Sequence, residues 1–566
     1  CGCPFRERCE ASGYLAGLNA AKSAEVLIAT HKRGEVMSLE LLSDGRSLVV
    51  IDEDCRQLLK PVEKTSIDAV RAARADLAEA LDNPRVLNSD WLNATKDDGD
   101  SARDKKAELD SFLRWCLPVL DDLVAKLEAA TTTQALDVEQ WPGRLPPKLL
   151  PFVFHKLSEN RKWRAGSPWP TIARTLTGGR VYVSDHEKWQ RGVADNKATE
   201  RWLVSVRSNP VPADAVTWIA DGTAKAAELS QLLGLPVRDL TPRATLKRQH
   251  RAVQYLRDVT RETKIGEVEK LLRGFVASHP EVQELGVIGH PTHFDELAKL
   301  EDLPVKRLSY FGRGDERMSN AWHHQCDAVL ILGTFRPGAD AVRLELLRRG
   351  LVEAAAMTEP PWQRVIFEMT NEAGEPEFCE GGQYNDPAWK AAFDSLCRTE
   401  MVQCIGRARC ELPDGVPVYV LSTEPCGLPV ADATPEKLND VAAACLEVLR
   451  CRGNCECRDS ERRPNRDILG RRSESPEAPL RTGELTRLVC ERLGRKVTTR
   501  CVNKHLRLHE LAGRVLRHGN AGWLLVVRKP ICEPDPAEVP STATTTAEVV
   551  SEPEIVLSAA FEPETT

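Results

Sequence analysis

No stretch of the 566-residue chain approaches the ~20 consecutive apolar residues of a helical membrane span, and no secretory signal is visible. These absences weigh against a membrane protein and against a disulfide-built secreted scaffold. The 18 cysteines, scattered through a chain that is 28% charged, are therefore expected as reduced thiols. Also missing is any Gly-x4-Gly-Lys-Ser/Thr pattern, the loop whose backbone amides and lysine cradle β- and γ-phosphates. Residues 531–566 contain 8 acidic residues and no Lys or Arg, with repeated Pro, Thr and Glu, so this tail is expected to be disordered. The rest, at 42% hydrophobic overall, has room for three or four domains with sizeable cores.

Several strand-like runs end in chemically suggestive turns. Ser47-Leu48-Val49-Val50-Ile51 runs into Asp52-Glu53-Asp54-Cys55, two carboxylates placed where an apolar strand leaves its sheet. Such a pair is either an acidic turn or a site where the first acid holds Mg²⁺ on nucleotide phosphates and the second orients the attacking water. Roughly 350 residues downstream, Met401-Val402-Gln403-Cys404-Ile405-Gly406-Arg407-Ala408-Arg409 precedes another strand at 416–422. An arginine delivered across a cleft stabilises charge on a transferring phosphoryl group; the plain alternative is a basic surface helix. Between them lie Val216–Ala220 followed by Asp221-Gly222-Thr223-Ala224, and an apolar strand at 285–291 closed by Gly and Pro. Next, Tyr310-Phe311-Gly312-Arg313-Gly314 leads through Asn320 and Trp322 to the strand at 326–333.

In this order the segments resemble motifs II, III, V and VI of superfamily 2 DNA helicases. The start, Cys3-Pro4-Phe5-Arg6-Glu7-Arg8-Cys9 and then Ala24-Glu25-Val26-Leu27-Ile28-Ala29-Thr30-His31, is similar to the segment before the Walker B strand of the DinG/XPD-like type. The resemblance covers about residues 1–55 and 211–425. It implies an α/β fold with two RecA-like P-loop NTPase domains that bind ATP and Mg²⁺ between them. By the same resemblance Asp52 holds Mg²⁺, Glu53 activates water, and Arg407 with Gln403 and Arg409 senses the γ-phosphate, Gly406 lying beside them. Thr30, His31, Asp221, Thr223, Gly312 and Asn320 then couple nucleotide to DNA. Two departures stand out: the family's second arginine falls seven residues after the glutamine, where this chain has Cys410, and its Asn-His is Thr30-His31 here. Cys1, Cys3 and Cys9 supply three thiolates where an iron–sulfur cluster ordinarily needs four, leaving iron–sulfur, zinc or unliganded thiols open. With no phosphate-cradling loop, the chain is expected to be a fragment whose first RecA-like domain is incomplete and which hydrolyses ATP poorly by itself.

The expected organisation is a partial first domain (1–60), a mainly helical, arch-like insertion (61–210), a return to the first domain (211–245) and the second domain (246–435). A helix and charged linker (436–479), a winged-helix-like module (480–530) and the acidic tail (531–566) follow. The insertion is read equally as a strand-gripping domain or a packing insert. In the C-terminal module, amphipathic helices and a hairpin around 518–522 present Arg500, Asn503, Lys504 and Arg507 on one helix, the candidate recognition helix. Residues 458–530 carry 18 Lys or Arg against 8 Asp or Glu, a net +10 in a chain of net −7, which favours DNA as partner over a protein-contact role. A cytoplasmic enzyme with no membrane attachment is expected, its oligomeric state open. The alternative is a non-hydrolysing replication initiator or regulator that uses a degenerate NTPase scaffold to carry the DNA-binding module.

Overall fold

The computed structural model describes residues 45–52, 55–82, 100–142, 167–189, 197–213, 215–220, 225–240, 248–313, 321–432, 441–453, 480–511, 515–518 and 522–525, with residues 27, 39, 42 and 435. The first apolar run forms β1 (Leu48–Asp52) and turns at once into the short helix α1 (Arg56–Leu59). The chain then leaves through β2 (Val62–Ser66), α2 (Ile67–Asp82), α3 (Asp100–Ala129), β3 (Gln134–Leu136), α4 (Trp169–Leu176), β4 (Arg180–Trp189) and β5 (Lys197–Val206). It returns as β6 (Val216–Ala220), parallel to β1 with Leu48 opposite Val216 and Asp52 opposite Ala220, and continues into α5 (Ala226–Leu233). Strand alternation turns Val49, Ile51 and Ile219 onto Leu58, Leu59, Leu229 and Leu232. The other face, with Leu48, Val50, Val216 and Trp218, is exposed to between 50% and 60%. Asp52, two residues beyond Val50, lies on that open face. A parallel pair normally reads as apolar because both faces are covered; among the described residues only one is.

The insertion expected as mainly helical contains a four-stranded antiparallel sheet in the order β2-β5-β4-β3. Its centre is the β4–β5 hairpin, which pairs Arg180 with Val206 and Trp189 with Lys197. Charged letters such as Asp185-His186-Glu187-Lys188 hid these long strands from a hydrophobic-periodicity reading. One face is covered by α2, α3 and α4: Val70, Ala73 and Leu77 meet Phe112, Cys116, Leu120, Leu123 and Leu127, with Trp169 and Ile172 beside them. Trp169 is fully buried in this core and so has no face left for stacking on a base.

After α5 comes a second parallel unit. It comprises β7 (Ala252–Tyr255), α6 (Ile265–Ser278), β8 (Leu285–Gly289), α7 (Pro291–Leu297), β9 (Val305–Tyr310), α8 (Trp322–Gln325) and β10 (Ala328–Leu332). Then follow α9 (Ala339–Arg348), α10 (Val352–Ala356), the hairpin β11 (Trp362–Thr370) and β12 (Pro376–Tyr384), α11 (Pro387–Gly406) and β13 (Val418–Leu421). The sheet order is β7-β13-β10-β8-β9, every pair parallel. β8 and β10 are buried along their whole length, as central parallel strands should be. Helices α6 and α7 cover one face, while α8 and α11 cover the other through Trp322, Met401 and Cys404. The apolar strand expected at 285–291 is β8, and β7 precedes it in the same sheet. That short strand escaped notice because it contains Gln254, which is fully buried and donates its amide to the carbonyls of Ser422 and Glu424. The inserted sheet does not stand apart, because its second face, through Tyr182, Val204 and Val206, packs on Val342, Leu346, Trp389 and Phe393 of α9 and α11.

The C-terminal module comprises α12 (Val441–Gly453), α13 (Thr482–Leu493), α14 (Thr499–Leu511) and the hairpin β14 (Val515–His518) with β15 (Gly522–Leu525). Helix α12, expected to lead into a linker, shares one core with the others: Cys445 and Leu449 pack with Leu485, Val489, Val502 and Leu506. Thr498 caps α14, its hydroxyl accepting the Cys501 amide at 3.2 Å.

Candidate nucleotide and nucleic-acid site

The two parallel units meet where α1 leaves β1. Four residues beyond Asp52, Arg56 donates to the Ser395 hydroxyl of α11 at 3.3 Å and lies 4.0 Å from Glu345 of α9. Ser395 in turn donates to Glu228 of α5 at 3.2 Å, and Arg398 reaches the same carboxylate oxygen at 2.7 Å. Arg348 of α9 closes the joint by donating to Gln57 at 2.7 Å and to the Lys60 carbonyl at 3.1 Å. Glu345 is only 2% exposed and pairs with Arg348 at 2.7 Å and Arg349 at 3.0 Å. None of these residues was singled out in the sequence, where single Arg, Ser and Glu letters on helices read as solvent-facing. Asn209, also missed, is buried and clips the return segment to α1, donating to the Leu58 carbonyl at 3.1 Å and accepting from the Leu39 amide.

Helix α11 starts on the Asp386 cap, whose carboxylate accepts the Trp389 amide at 2.9 Å, and runs to Gly406. Twelve residues separate Ser395 from Arg407, about 18 Å of helix. Gln403 and Arg407 are one turn apart on one face. Arg407 is 8% exposed, and the Gln403 Oε1 is buried with no hydrogen-bond partner among the described residues. Gly406 and Arg409 are exposed, and Arg409 has φ +48°, an uncommon conformation for a residue with a Cβ. One turn earlier, the buried Glu400 accepts the Gly312 amide at 2.7 Å. Gly312 itself has φ +81°, which explains a glycine there. The structure therefore brings Gly312 to the helix of Gln403 and Arg407, and brings the stretch after Asp52 to the same helix three turns upstream. Cys1, Cys3, Cys9, Thr30, His31, Glu53, Asp221, Thr223 and Asn320 lie outside the described residues.

A second polar cluster was not anticipated and sits at the C-terminal edge of β7, β10 and β13. The Thr334 and Ser422 hydroxyls bond each other there, and Arg336 bridges Glu424 at 2.8 Å and Asp258 at 3.2 Å. Burial pushes the Glu424 carboxyl up, against the pull of Arg336. His290, 7% exposed and 3.3 Å from the Val259 carbonyl, is lowered to about 4, first by burial. A buried neutral histidine of this kind destabilises the fold in acid. Below the ordinary value of 6.5 the unfolded chain takes up a proton that the folded chain refuses until about pH 4. From about pH 7 to about pH 5 this one group should remove about 2 kcal/mol of stability. Urea unfolding of wild type and His290→Gln at both values checks it: the variant's pH slope should be shallower, and parallel slopes would contradict the assignment.

In the C-terminal module, Arg500, Lys504 and Arg507 are exposed on α14 and Asn503 is half-buried. Lys504 is ion-paired at 3.1 Å with Glu380 of β12, which also faces Arg364 at 3.3 Å. No helix among the described residues is long and apolar enough to cross a membrane.

No family model matches the chain, and no curated protein sequence matches it. Among solved structures, Xpd4 of S. tokodaii aligns with 72% of this chain and 75% of its own at 12% identity and a TM-score of 0.31. At that score the likeness carries no argument. The chain's own sheets make it a mixed α/β protein with parallel sheets, consistent with RecA-like folds.

Proposed function

We propose that the chain is an ATP-dependent DNA helicase or translocase of the superfamily 2, DinG/XPD-like type, in which two RecA-like domains close on ATP and Mg²⁺. One observation carries the reading: the segment that follows Asp52 is docked through Arg56, Ser395 and Glu228 onto the helix that ends in Gln403, Gly406 and Arg407. The acid at the strand end and the arginine, about 18 Å further along that helix, would face each other on closure of the two sheets, the arrangement in which hydrolysis depends on closure. The buried Gln403 Oε1, one turn from Arg407 and without a hydrogen-bond partner among the described residues, is suited to taking a polar ligand. Asp52 is the residue that would hold Mg²⁺, and Glu53 the one that would take a proton from the attacking water. Mg²⁺, when bound, neutralises charge on the phosphates. Arg407 supplies a forked positive charge from the far side, with Arg409 outside it. Glu400, by holding Gly312, links this helix to the loop proposed to meet DNA, with Thr30, His31, Asp221, Thr223 and Asn320 as further coupling residues. The C-terminal module, proposed to be a winged helix, adds a duplex-binding face on α14.

The deciding experiment is DNA-stimulated ATP hydrolysis by the full-length gene product, wild type against Glu53→Gln. Lost turnover with retained nucleotide binding supports the motor; equal turnover removes Glu53 from its role. A second reading, a non-hydrolysing DNA-binding initiator or regulator, is favoured by the lack of a Gly-x4-Gly-Lys-Ser/Thr pattern. It would be selected by tight DNA binding with no nucleotide turnover in the wild type.

The Lys504–Glu380 pair yields a separate expectation. Glu380→Gln should free one cation on α14, tightening DNA binding about two- to fivefold at low salt and steepening the salt dependence by about one ion. Fluorescence anisotropy across a salt series checks this; unchanged affinity and slope would place α14 away from DNA.

A further inference from the structure

Helix α8 and the turn after Arg407 hold a second set of groups that the proposed motor chemistry does not use. Trp322 opens α8 and is 1% exposed, sunk against Gly286, where a Cβ would approach its ring to 2.8 Å. This notch holds α8 in place, so the next two residues, His323 and His324, are presented from a fixed base. Opposite them, Asp414 sits in a turn closed by the Leu412 amide on the Arg409 carbonyl at 2.8 Å and the Gly415 amide on the Leu412 carbonyl at 3.1 Å. His250, 3.1 Å from the Pro413 carbonyl, steadies the same turn.

One donor atom from each of His323, His324 and Asp414 lies within 4.8 Å of the other two. The His323 side chain is 7% exposed, and its Nδ1 is buried with no hydrogen-bond partner among the described residues. Its Nε2 stands 3.9 Å from the Asp414 Oδ2. That gap is too long for a hydrogen bond and about half an ångström wider than the ~3.4 Å between two ligands of a tetrahedral ion with bonds of about 2.0–2.2 Å, so a small side-chain rotation would seat one. An ion held by Nε2 and the carboxylate would replace this long, unbonded approach with two ligand bonds.

We propose that His323, His324 and Asp414 bind one divalent transition-metal ion of the zinc class, clipping α8 to the turn that follows Arg407. Two imidazoles and a carboxylate suit Zn²⁺ or Co²⁺; Mg²⁺ and Ca²⁺ prefer oxygen alone, and Cu(I) and iron–sulfur clusters prefer sulfur. The proposal does not depend on the motor reading, since it concerns binding alone.

Chelator-treated protein titrated with Co²⁺, followed by its visible d–d absorption and then displaced by Zn²⁺, provides the test. With 18 cysteines in the chain, the near-ultraviolet thiolate charge-transfer band must be followed in the same titration. His324 and Asp414 are exposed, so His324→Ala and Asp414→Asn leave the core alone. The wild type should bind one Co²⁺ without the thiolate band, each variant should bind at least about tenfold more weakly, and Zn²⁺ should raise the wild-type unfolding temperature more than the variants'. Equal affinity in the variants, or binding only with the thiolate band, would assign the ion to cysteines and overturn the site.

Discussion

Arg407→Ala should lower the turnover number of DNA-stimulated ATP hydrolysis in the full-length protein by about a thousandfold or more, the usual effect of losing an arginine that meets a transferring phosphoryl group. Nucleotide affinity should change far less, because the guanidinium acts mainly on charge that develops in the transition state. Arg407 is 8% exposed at the end of α11, so truncation also threatens packing. Arg407→Lys separates the two effects: it keeps length and charge but loses the forked donor geometry, and should recover stability while recovering little turnover. Arg409, exposed on the turn beyond, should matter less, with Arg409→Ala reducing turnover by no more than about tenfold. Steady-state kinetics with thermal unfolding as control decides the matter. If Arg407→Ala retains more than a tenth of wild-type turnover, the arginine does not reach the phosphates.

Glu345→Ala should cost about 3–5 kcal/mol of stability, the range for removing one partner of a buried ion pair. The carboxylate is 2% exposed and faces Arg348 at 2.7 Å, Arg349 at 3.0 Å and Arg56 at 4.0 Å. Without it Arg56, Arg348 and Arg349 lose the carboxylate they share where α9 meets α1. Glu345→Gln keeps the volume and one acceptor oxygen and should cost less than the alanine. Urea unfolding of both variants provides the measurement. A loss below about 1 kcal/mol for the alanine would mean that water already screens this cluster as it does a surface pair. Because the same cluster ties the β1 segment to α9 and α11, a destabilised joint should also weaken any coupling between the two parallel units.

Much of the local structure was legible in the letters. β1, β6, β10 and β13 stood out as apolar runs ended by turn or charged residues, and the helical spacing of Phe112, Cys116, Leu120, Leu123 and Leu127 marked the buried stripe of α3. A threonine cap at 498 or 499 and the hairpin of the C-terminal module are likewise readable, because capping and turn chemistry act over a few neighbouring residues; the structure gives the cap to Thr498. β7 was not readable, since its buried Gln254 is satisfied by carbonyls some 170 residues away. Of the β4–β5 hairpin only Val181-Tyr182-Val183, after the turn at 177–180, reads as a strand; the polar letters that follow resemble a surface loop.

By itself, then, the sequence determined the strongly apolar strands, the amphipathic helices and the order in which the candidate motifs run, because periodicity and capping are short-range. Only the tertiary structure decided that β1 and β6 lie side by side across the whole insertion, that the inserted sheet leans on α9 and α11, and that Arg56, Ser395 and Glu228 join the two parallel units. These contacts link residues far apart in the chain through polar groups whose burial depends on what folds over them. One sequence records the groups but not the partners.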